Sequence, residues 1–281
     1  MTSLPKNTDR ATVEGFGREW ATFTQSAQAF SDADRRAMFD GYFAIFPWNQ
    51  LPQNSVGADI GCGSGRWAML VAPRVGHLHA VDPAAAALAV ARNNLAGLGN
   101  VTLHQASVSA LPLAKGSLDF AYALGVLHHV PDTARAIRDV AAKLKPGAPF
   151  LLYLYYAFDN RAAAYRILWK ISNAGRLILS RAPYPLQIAA TTIIAYTIYW
   201  PVARLAALLE KLGVLPRSWP LTYYRHRALY VMRTDAFDRF CTRLEQRFTQ
   251  AEITDMLHAA GFDNIKFSDE EPFWVAVAHK T

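Results

Sequence analysis

The stretch Val56-Gly57-Ala58-Asp59-Ile60-Gly61-Cys62-Gly63-Ser64-Gly65 decides the fold. Its first half is an apolar run of strand length. Its second half puts glycine at every other position, where the backbone must turn sharply and a ligand can approach closer than a Cβ allows. A helix starting just beyond such a turn offers free N–H groups, so the loop forms a cradle for a small polar cofactor. Arg66 stands where a dinucleotide fingerprint has its third glycine, which argues against a nicotinamide or flavin. About twenty residues on, a second apolar run ends in Val81-Asp82-Pro83, and a carboxylate there can accept both hydroxyls of a ribose.

Outward from this point, residues 55 to 155 alternate short apolar runs with Ala-rich stretches, the rhythm of a parallel sheet covered on both faces. The pattern predicts strands at Val56–Ile60, His77–Val81, Val101–Gln105, Leu118–Leu124 and Pro149–Tyr155. Helices are expected near Arg66–Val71, Ala84–Ala96 and Thr133–Leu144. The rhythm resumes with a helix near Gln250–Ala260, then Asn264–Phe267 and Phe273–Ala278, which should be antiparallel neighbours at the sheet edge. The expected class is α/β, a doubly wound and mainly parallel sheet of seven strands with an antiparallel terminal hairpin. Three parts follow: an N-terminal helical lid at 1–50, a core at 51–155 and 246–281, and an inserted helical cap at 156–245.

Of 281 residues, 52% are hydrophobic and 18% charged, which excludes general disorder. The two cysteines, Cys62 and Cys241, exclude a disulfide framework and any Cys-rich zinc or iron–sulfur site, and no metal is expected. A reducing cytoplasm fits them, and Met1–Arg18 lacks the pattern of a secretory signal. The net charge of +7 is unevenly placed: Tyr155–Arg247 holds fourteen Lys/Arg against five Asp/Glu, and the rest holds fifteen against seventeen. The basic segment suits anionic lipid, an acidic substrate or nucleic acid.

Further stretches carry a resemblance. Ala106-Ser107-Val108-Ser109-Ala110-Leu111-Pro112-Leu113, Gly116-Ser117-Leu118-Asp119, Leu124-Gly125-Val126-Leu127-His128-His129-Val130-Pro131-Asp132 and Lys143-Leu144-Lys145-Pro146-Gly147 accompany the glycine loop and Asp82. Together they resemble the Rossmann-like class I S-adenosylmethionine-dependent methyltransferases, in particular the small-molecule group with a type 11 methyltransferase domain. The resemblance implies S-adenosyl-L-methionine as cofactor and S-adenosyl-L-homocysteine as product. It implies that Gly61, Cys62, Gly63 and Gly65 cradle the methionine part, with Asp59 organising the loop or serving as a buried anchor. Asp82, followed by Pro83, would hold the ribose. Ala106, Ser107 and Val108 would flank adenine, with Ser107 a neutral acceptor where the family commonly has an acidic one. Leu124 would offer its carbonyl to the cofactor ammonium. Phe16-Gly17-Arg18-Glu19-Trp20 resembles a helix ahead of the core in some of these enzymes, so Trp20 is either a lid over the sulfonium or core packing.

His128 and His129 are candidate general bases, because imidazole titrates near neutrality; packing beside the cofactor is the other reading. Tyr153, Tyr155 and Tyr156 end the fifth strand at the edge where ligands gather in open α/β sheets, as substrate lining, with Tyr155 also a candidate in catalysis, or as core. Tyr223, Tyr224 and Arg225 could bind an anion or form a solvated face. From Ala182 to Ala203 no charged side chain occurs, and Arg181 and Arg204 bracket the run. A helix apolar all round must be buried somewhere, which points to a cap over a hydrophobic pocket or a homodimer interface; the other readings are peripheral attachment at the inner membrane surface and a true span. The expected function is metal-free methyl transfer by in-line displacement to a hydrophobic or amphipathic small molecule, with a lipid or quinone-type acceptor at a membrane surface as the alternative. Nucleic acid is disfavoured as a partner, since Ala123-Leu124-Gly125-Val126 replaces the Asn/Asp-Pro-Pro-aromatic step of exocyclic-amine methylases. A non-catalytic cofactor-binding scaffold is the remaining rival.

Overall fold

The computed structural model describes residues 7–26, 31–159, 163–216 and 219–281. Residues 1–6 and 27–30 of the expected lid, and 160–162 and 217–218 of the expected cap, lie outside them. Helices α1 (Arg10–Thr22) and α2 (Asp32–Tyr42) precede the sheet. Then come β1 (Val56–Ile60), α3 (Ala68–Val71), β2 (His77–Asp82), α4 (Ala85–Asn94), β3 (Val101–Gln105), β4 (Phe120–Leu124), α5 (Thr133–Ala141) and β5 (Pro149–Tyr153). Helices α6 (Ala163–Leu179), α7 (Tyr184–Ile194), α8 (Trp200–Lys211) and α9 (Leu229–Cys241) follow, and α10 (Gln250–Ala259), β6 (Phe262–Phe267) and β7 (Val275–Lys280) close the chain.

Among the described residues the seven strands form one sheet in the order β3-β2-β1-β4-β5-β7-β6. β1 to β5 run parallel, and β7 enters antiparallel between β5 and the edge strand β6. Every residue of β4 is buried, as expected of a parallel strand covered on both faces. The order reverses beside β1, so the turns after β1 and β4 open on one crevice at the carboxyl edge.

The boundaries differ from the expected ones for local reasons. Leu118 makes only an isolated bridge to Leu144, because Lys145 and Val56 claim the Asp119 carboxylate beside it. β5 stops at Tyr153: past it the chain turns to residue 248, with Phe248 N–H donating to the Tyr155 carbonyl and Ala157 N–H to the Phe248 carbonyl. Phe273 and Trp274 fall in the connection before β7.

The chain divides into two compact units, the first Met1–Gln25, Arg35–Asn160 and Leu244–Thr281, the second Ser26–Asp34 and Arg161–Arg243. In the first, α1 and most of α2 belong with the sheet. Phe43 packs edge-on against Tyr122 at 5.3 Å and Phe46 against Phe120 at 5.9 Å, so an aromatic wedge from the end of α2 supports β4. The second unit has its own small core of Ala195, Tyr199, Ala203, Met232 and Ala236. There α7, a π-helical turn at Ala195–Tyr199 and α8 make one continuous helix of 28 residues. This helix carries the apolar run, and its large side chains point outward: Leu186 is 58% and Ile193 61% exposed. Its buried side holds Gln187, Thr191, Ala195, Tyr199, Ala203 and Ala206.

Gly57 pairs with Phe120 across β1 and β4, and the Phe120 ring occupies the space that a Cβ at 57 would need, 2.1 Å from its nearest atom. Gly57→Ala should therefore overpack the core and lower stability by about 1–3 kcal/mol. Denaturant unfolding should show a lower midpoint at unchanged slope.

Candidate cofactor and acceptor site

Once β1 ends, the chain must reverse into α3 within a few residues. Gly61, Gly63 and Gly65 take positive φ angles of 76°, 53° and 77°. An L side chain reaches that region only with strain, which explains glycine at alternate positions. The Gly61 and Cys62 N–H groups both donate to the Val81 carbonyl, at 2.7 and 3.0 Å, so the loop is tied to the end of β2. Asp82, the last residue of β2, completes the tie: its carboxylate accepts from Gly63 N–H at 3.0 Å and from Ala84 N–H at 2.8 Å. Cys62 is buried and its thiol pushed up by burial, so it is a packing element of the loop.

Asp59 and Asp82 are both buried at the carboxyl end of the first two strands. Burial pushes Asp59 up to about 7, against the neighbouring Tyr122 hydroxyl, with Asp82 adding to the rise. It pushes Asp82 up to about 6, opposed by the Ala84 and Gly63 N–H groups. The crevice thus holds poised negative charge with little water, a setting in which a cation is strongly favoured.

Helix α1 lies over this loop. A Cβ at Gly63 would come within 2.8 Å of the Trp20 indole nitrogen. The Arg66 guanidinium is 5.5 Å from the Trp20 ring and 4.4 Å from that of Trp67. Phe16, one helical turn before Trp20, reaches His129 at 4.9 Å between ring centroids. One face of α1 therefore touches both the glycine loop and the histidine pair. Its two ends are pinned: Asn7 exchanges two hydrogen bonds with the Asp132 main chain, and Asn94 donates to both the Thr24 and Ser64 carbonyls.

Gly125, at φ 77°, turns the chain after β4 into the short 3-10 helix Leu127–His129. Three residues expected in catalysis meet there: the His128 ring is 3.9 Å from those of both His129 and Tyr155. His129 Nδ1 lies 2.7 Å from the Leu244 carbonyl. A carbonyl only accepts, so Nδ1 carries the proton. That is the tautomer a general base needs. His128 is fully buried, neither ring nitrogen has a hydrogen-bond partner, and burial holds it well below its usual value with His129 and Arg247 contributing. It stays neutral and works as the platform between His129 and Tyr155.

Tyr153 lies 5.9 Å from Tyr155, as alternation predicts, and continues into a rim that the sequence did not single out: Tyr42 is 5.1 Å from Tyr153 and 5.2 Å from Trp67. Nothing in the sequence singles out Tyr42 or Trp67. Only the fold brings them to the sheet edge. Ser107 is buried against Ser109, 3.1 Å between hydroxyls, and the neighbouring Ala106 N–H donates to the Asp82 carbonyl, which sets the expected adenine segment beside the carboxylate. Leu124 ends β4 in register with Tyr153. Tyr156 faces elsewhere, stacked edge-on with Phe158 at 4.5 Å and Phe273 at 5.8 Å. Tyr223, Tyr224 and Arg225 lie in the second unit and serve its packing: Tyr224 donates to Asp235 at 2.9 Å, and Arg225 pairs with Glu210 at 2.8 Å. With its guanidinium engaged by Glu210 and the Thr222 carbonyl, Arg225 is a structural cation.

These values set the pH behaviour. Both folded-state carboxyls titrate above the free value, so the native state binds more protons than the unfolded chain; their contribution to stability is full below about 4 and is lost as pH rises to about 7. Asp59→Asn should flatten that slope in melts taken from pH 4 to 8. Affinity for a ribose-bearing cation should run the opposite way, weakening as pH falls through about 6, because protonation removes an acceptor and the charge. Calorimetry should show Asp82→Ala losing about 1–3 kcal/mol of cofactor affinity and Asp82→Asn losing the component centred there. Gly63→Val should abolish binding by driving a side chain into Trp20.

The methyltransferase domain family matches residues 58–147. The methyltransferase YcgJ of Bacillus subtilis, itself uncharacterized, is 34% identical over 36% of this chain and 41% of its own length. A ubiquinone biosynthesis O-methyltransferase of Marinobacter nauticus is 37% identical over 32% and 39%. The chain thus spans about two fifths of the length of these curated relatives. In architecture it is similar to a SAM-dependent methyltransferase of Methanosarcina mazei, with a TM-score of 0.50 at 19% identity over 83% of this chain and 95% of that one. It is also similar to a Methanococcus maripaludis protein assigned to the same class, with a TM-score of 0.52 at 15% identity over 99% and 98%. The matched 58–147 segment, which holds the glycine loop, Asp82 and the histidine turn, is similar to the methyltransferase domain family.

Proposed function

We propose that this protein transfers a methyl group from S-adenosyl-L-methionine to a hydrophobic or amphipathic small molecule. The observation that carries the reading is the convergence on Gly63, whose N–H is held by Asp82 while Trp20 covers the side where a Cβ would project. A side-chain-free cradle, a buried carboxylate pair and an aromatic cover suit the three parts of the cofactor: methionine against Gly61, Gly63 and Gly65, ribose at Asp82, sulfonium beneath Trp20. When bound, the cofactor supplies an electrophilic methyl group, and S-adenosyl-L-homocysteine is the product.

The chain's own residues then have three tasks. Tyr42, Tyr153 and Tyr155 hold an apolar acceptor at the carboxyl edge and exclude water. His129, with its Nδ1 proton committed to the Leu244 carbonyl, takes the acceptor's proton at Nε2. Alignment does the rest, since displacement at a methyl carbon needs chiefly proximity. A second reading narrows the acceptor to a membrane-borne lipid or quinone-type oxygen. It draws on the names of the ubiquinone biosynthesis O-methyltransferases and on the exposed apolar helix of the second unit.

Incubating the protein with methyl-labelled cofactor and organic extracts of cells tests this. Label should enter an organic-soluble product, and His129→Ala should cut kcat by roughly 10²-fold or more with cofactor affinity unchanged. Label appearing in nucleic acid, or cofactor binding without turnover across the extracts, overturns the reading in favour of a nucleic-acid enzyme or a scaffold. An unchanged kcat in His129→Ala removes the general base and leaves alignment alone.

A further inference from the structure

The second unit is packed inside-out. All the large hydrophobic side chains left widely exposed among the described residues fall between Ile167 and Val214, and none lies in the sheet unit. Within the helix Tyr184–Lys211, the buried side holds Gln187, which donates to the Leu179 and Ser180 carbonyls, and Thr191, which donates to that of Gln187. The opposite side presents Leu186, Ile193, Ile198 and Leu205, all more than 40% exposed, together with Tyr196 and Trp200. Water does not retain such a surface uncovered.

Charge identifies what covers it. Residues 161–243 carry thirteen Lys/Arg against three Asp/Glu, a balance of +10. Arg181 precedes the helix and Lys211 ends it, both exposed, and Lys170 is exposed on α6. Two copies meeting through this face would bring like charges together, whereas anionic headgroups are complementary to it. Tyr196 and Trp200 are the residue types that favour the boundary between headgroups and acyl chains. The helix is long and apolar enough to cross a bilayer. Crossing, however, would carry α9, which packs along it, into hydrocarbon with Arg233, Asp235, Asp238 and Arg239.

We infer that the outward face of Tyr184–Lys211 docks in the plane of an anionic membrane surface, with Arg181 and Lys211 on the headgroups. This docking is independent of the methyl acceptor and of turnover. The test is flotation of the purified full-length chain with vesicles of phosphatidylcholine alone and of phosphatidylcholine mixed with phosphatidylglycerol. Association should be at least about tenfold stronger with the anionic vesicles and should weaken with salt. The triple variant I193E/I198E/L205E should lower it by at least about tenfold while leaving cofactor affinity and the circular dichroism spectrum unchanged. K170E/K211E, which leaves the apolar face intact, should remove most of the salt dependence. Failure of the wild type to float, or undiminished flotation of the triple variant, overturns the inference. Resistance to alkaline carbonate extraction would establish a span in its place. A solution dimer that the triple variant splits, without vesicle binding by either, would assign the face to a second copy.

Discussion

The two hydrogen bonds accepted by the Asp82 carboxylate, from Gly63 and Ala84, are the constraint on which the candidate site depends. They join the turn after β1 to the turn after β2, two segments with no other side-chain link between them in the hydrogen-bond pattern described above. The carboxylate is buried to make them, and in that setting an acceptor oriented by two main-chain donors is fixed in place before any ligand arrives. The glycines permit the loop's path; Asp82 selects one path among those permitted.

That arrangement has an electrostatic cost. Two carboxyls are buried at the ends of β1 and β2, at about 7 and about 6, and Asp82 adds to the rise at Asp59. Under the proposed function, a sulfonium bound beside the loop would lower both values. The Arg66 guanidinium lies over the rings of both Trp20 and Trp67, at 5.5 and 4.4 Å. His128 stays neutral, held there by burial with His129 and Arg247 contributing.

Much of the sheet unit was legible because its signals are local. Parallel strands buried on both faces read as unbroken apolar runs, and the glycine spacing and Asp82 follow each other at a characteristic distance in the chain. His128, His129 and Tyr155 were found as types and as neighbours of strand ends. The rim residues Tyr42 and Trp67 were not, since nothing in α2 or the start of α3 distinguishes an aromatic that packs inward from one that meets Tyr153 across the sheet. Tyr223, Tyr224 and Arg225 read as an anion site or a solvated face, because a sequence does not reveal that Asp235 and Glu210 fold back to engage Tyr224 and Arg225. The apolar run misled for a different reason. Counting apolar residues around a helix does not say which flank is covered; Gln187, Thr191, Tyr199 and the alanines form the side that packs.

The π-helical turn at Ala195–Tyr199 gives that helix its two faces. Gln187, Thr191, Ala195, Tyr199 and Ala203 recur every fourth residue. On a regular helix such a stripe precesses by about 40° per step, and over this span it would wind nearly half-way round the cylinder. The wider turn takes back roughly 90° of that rotation, next to Pro201, whose missing N–H frees the carbonyl ladder to widen. The packing seam therefore stays on one flank from end to end, and the greasy flank opposite it is a continuous ribbon. Removing a single residue from the bulge would wring the rod, leaving its two halves facing different directions with every side chain still present.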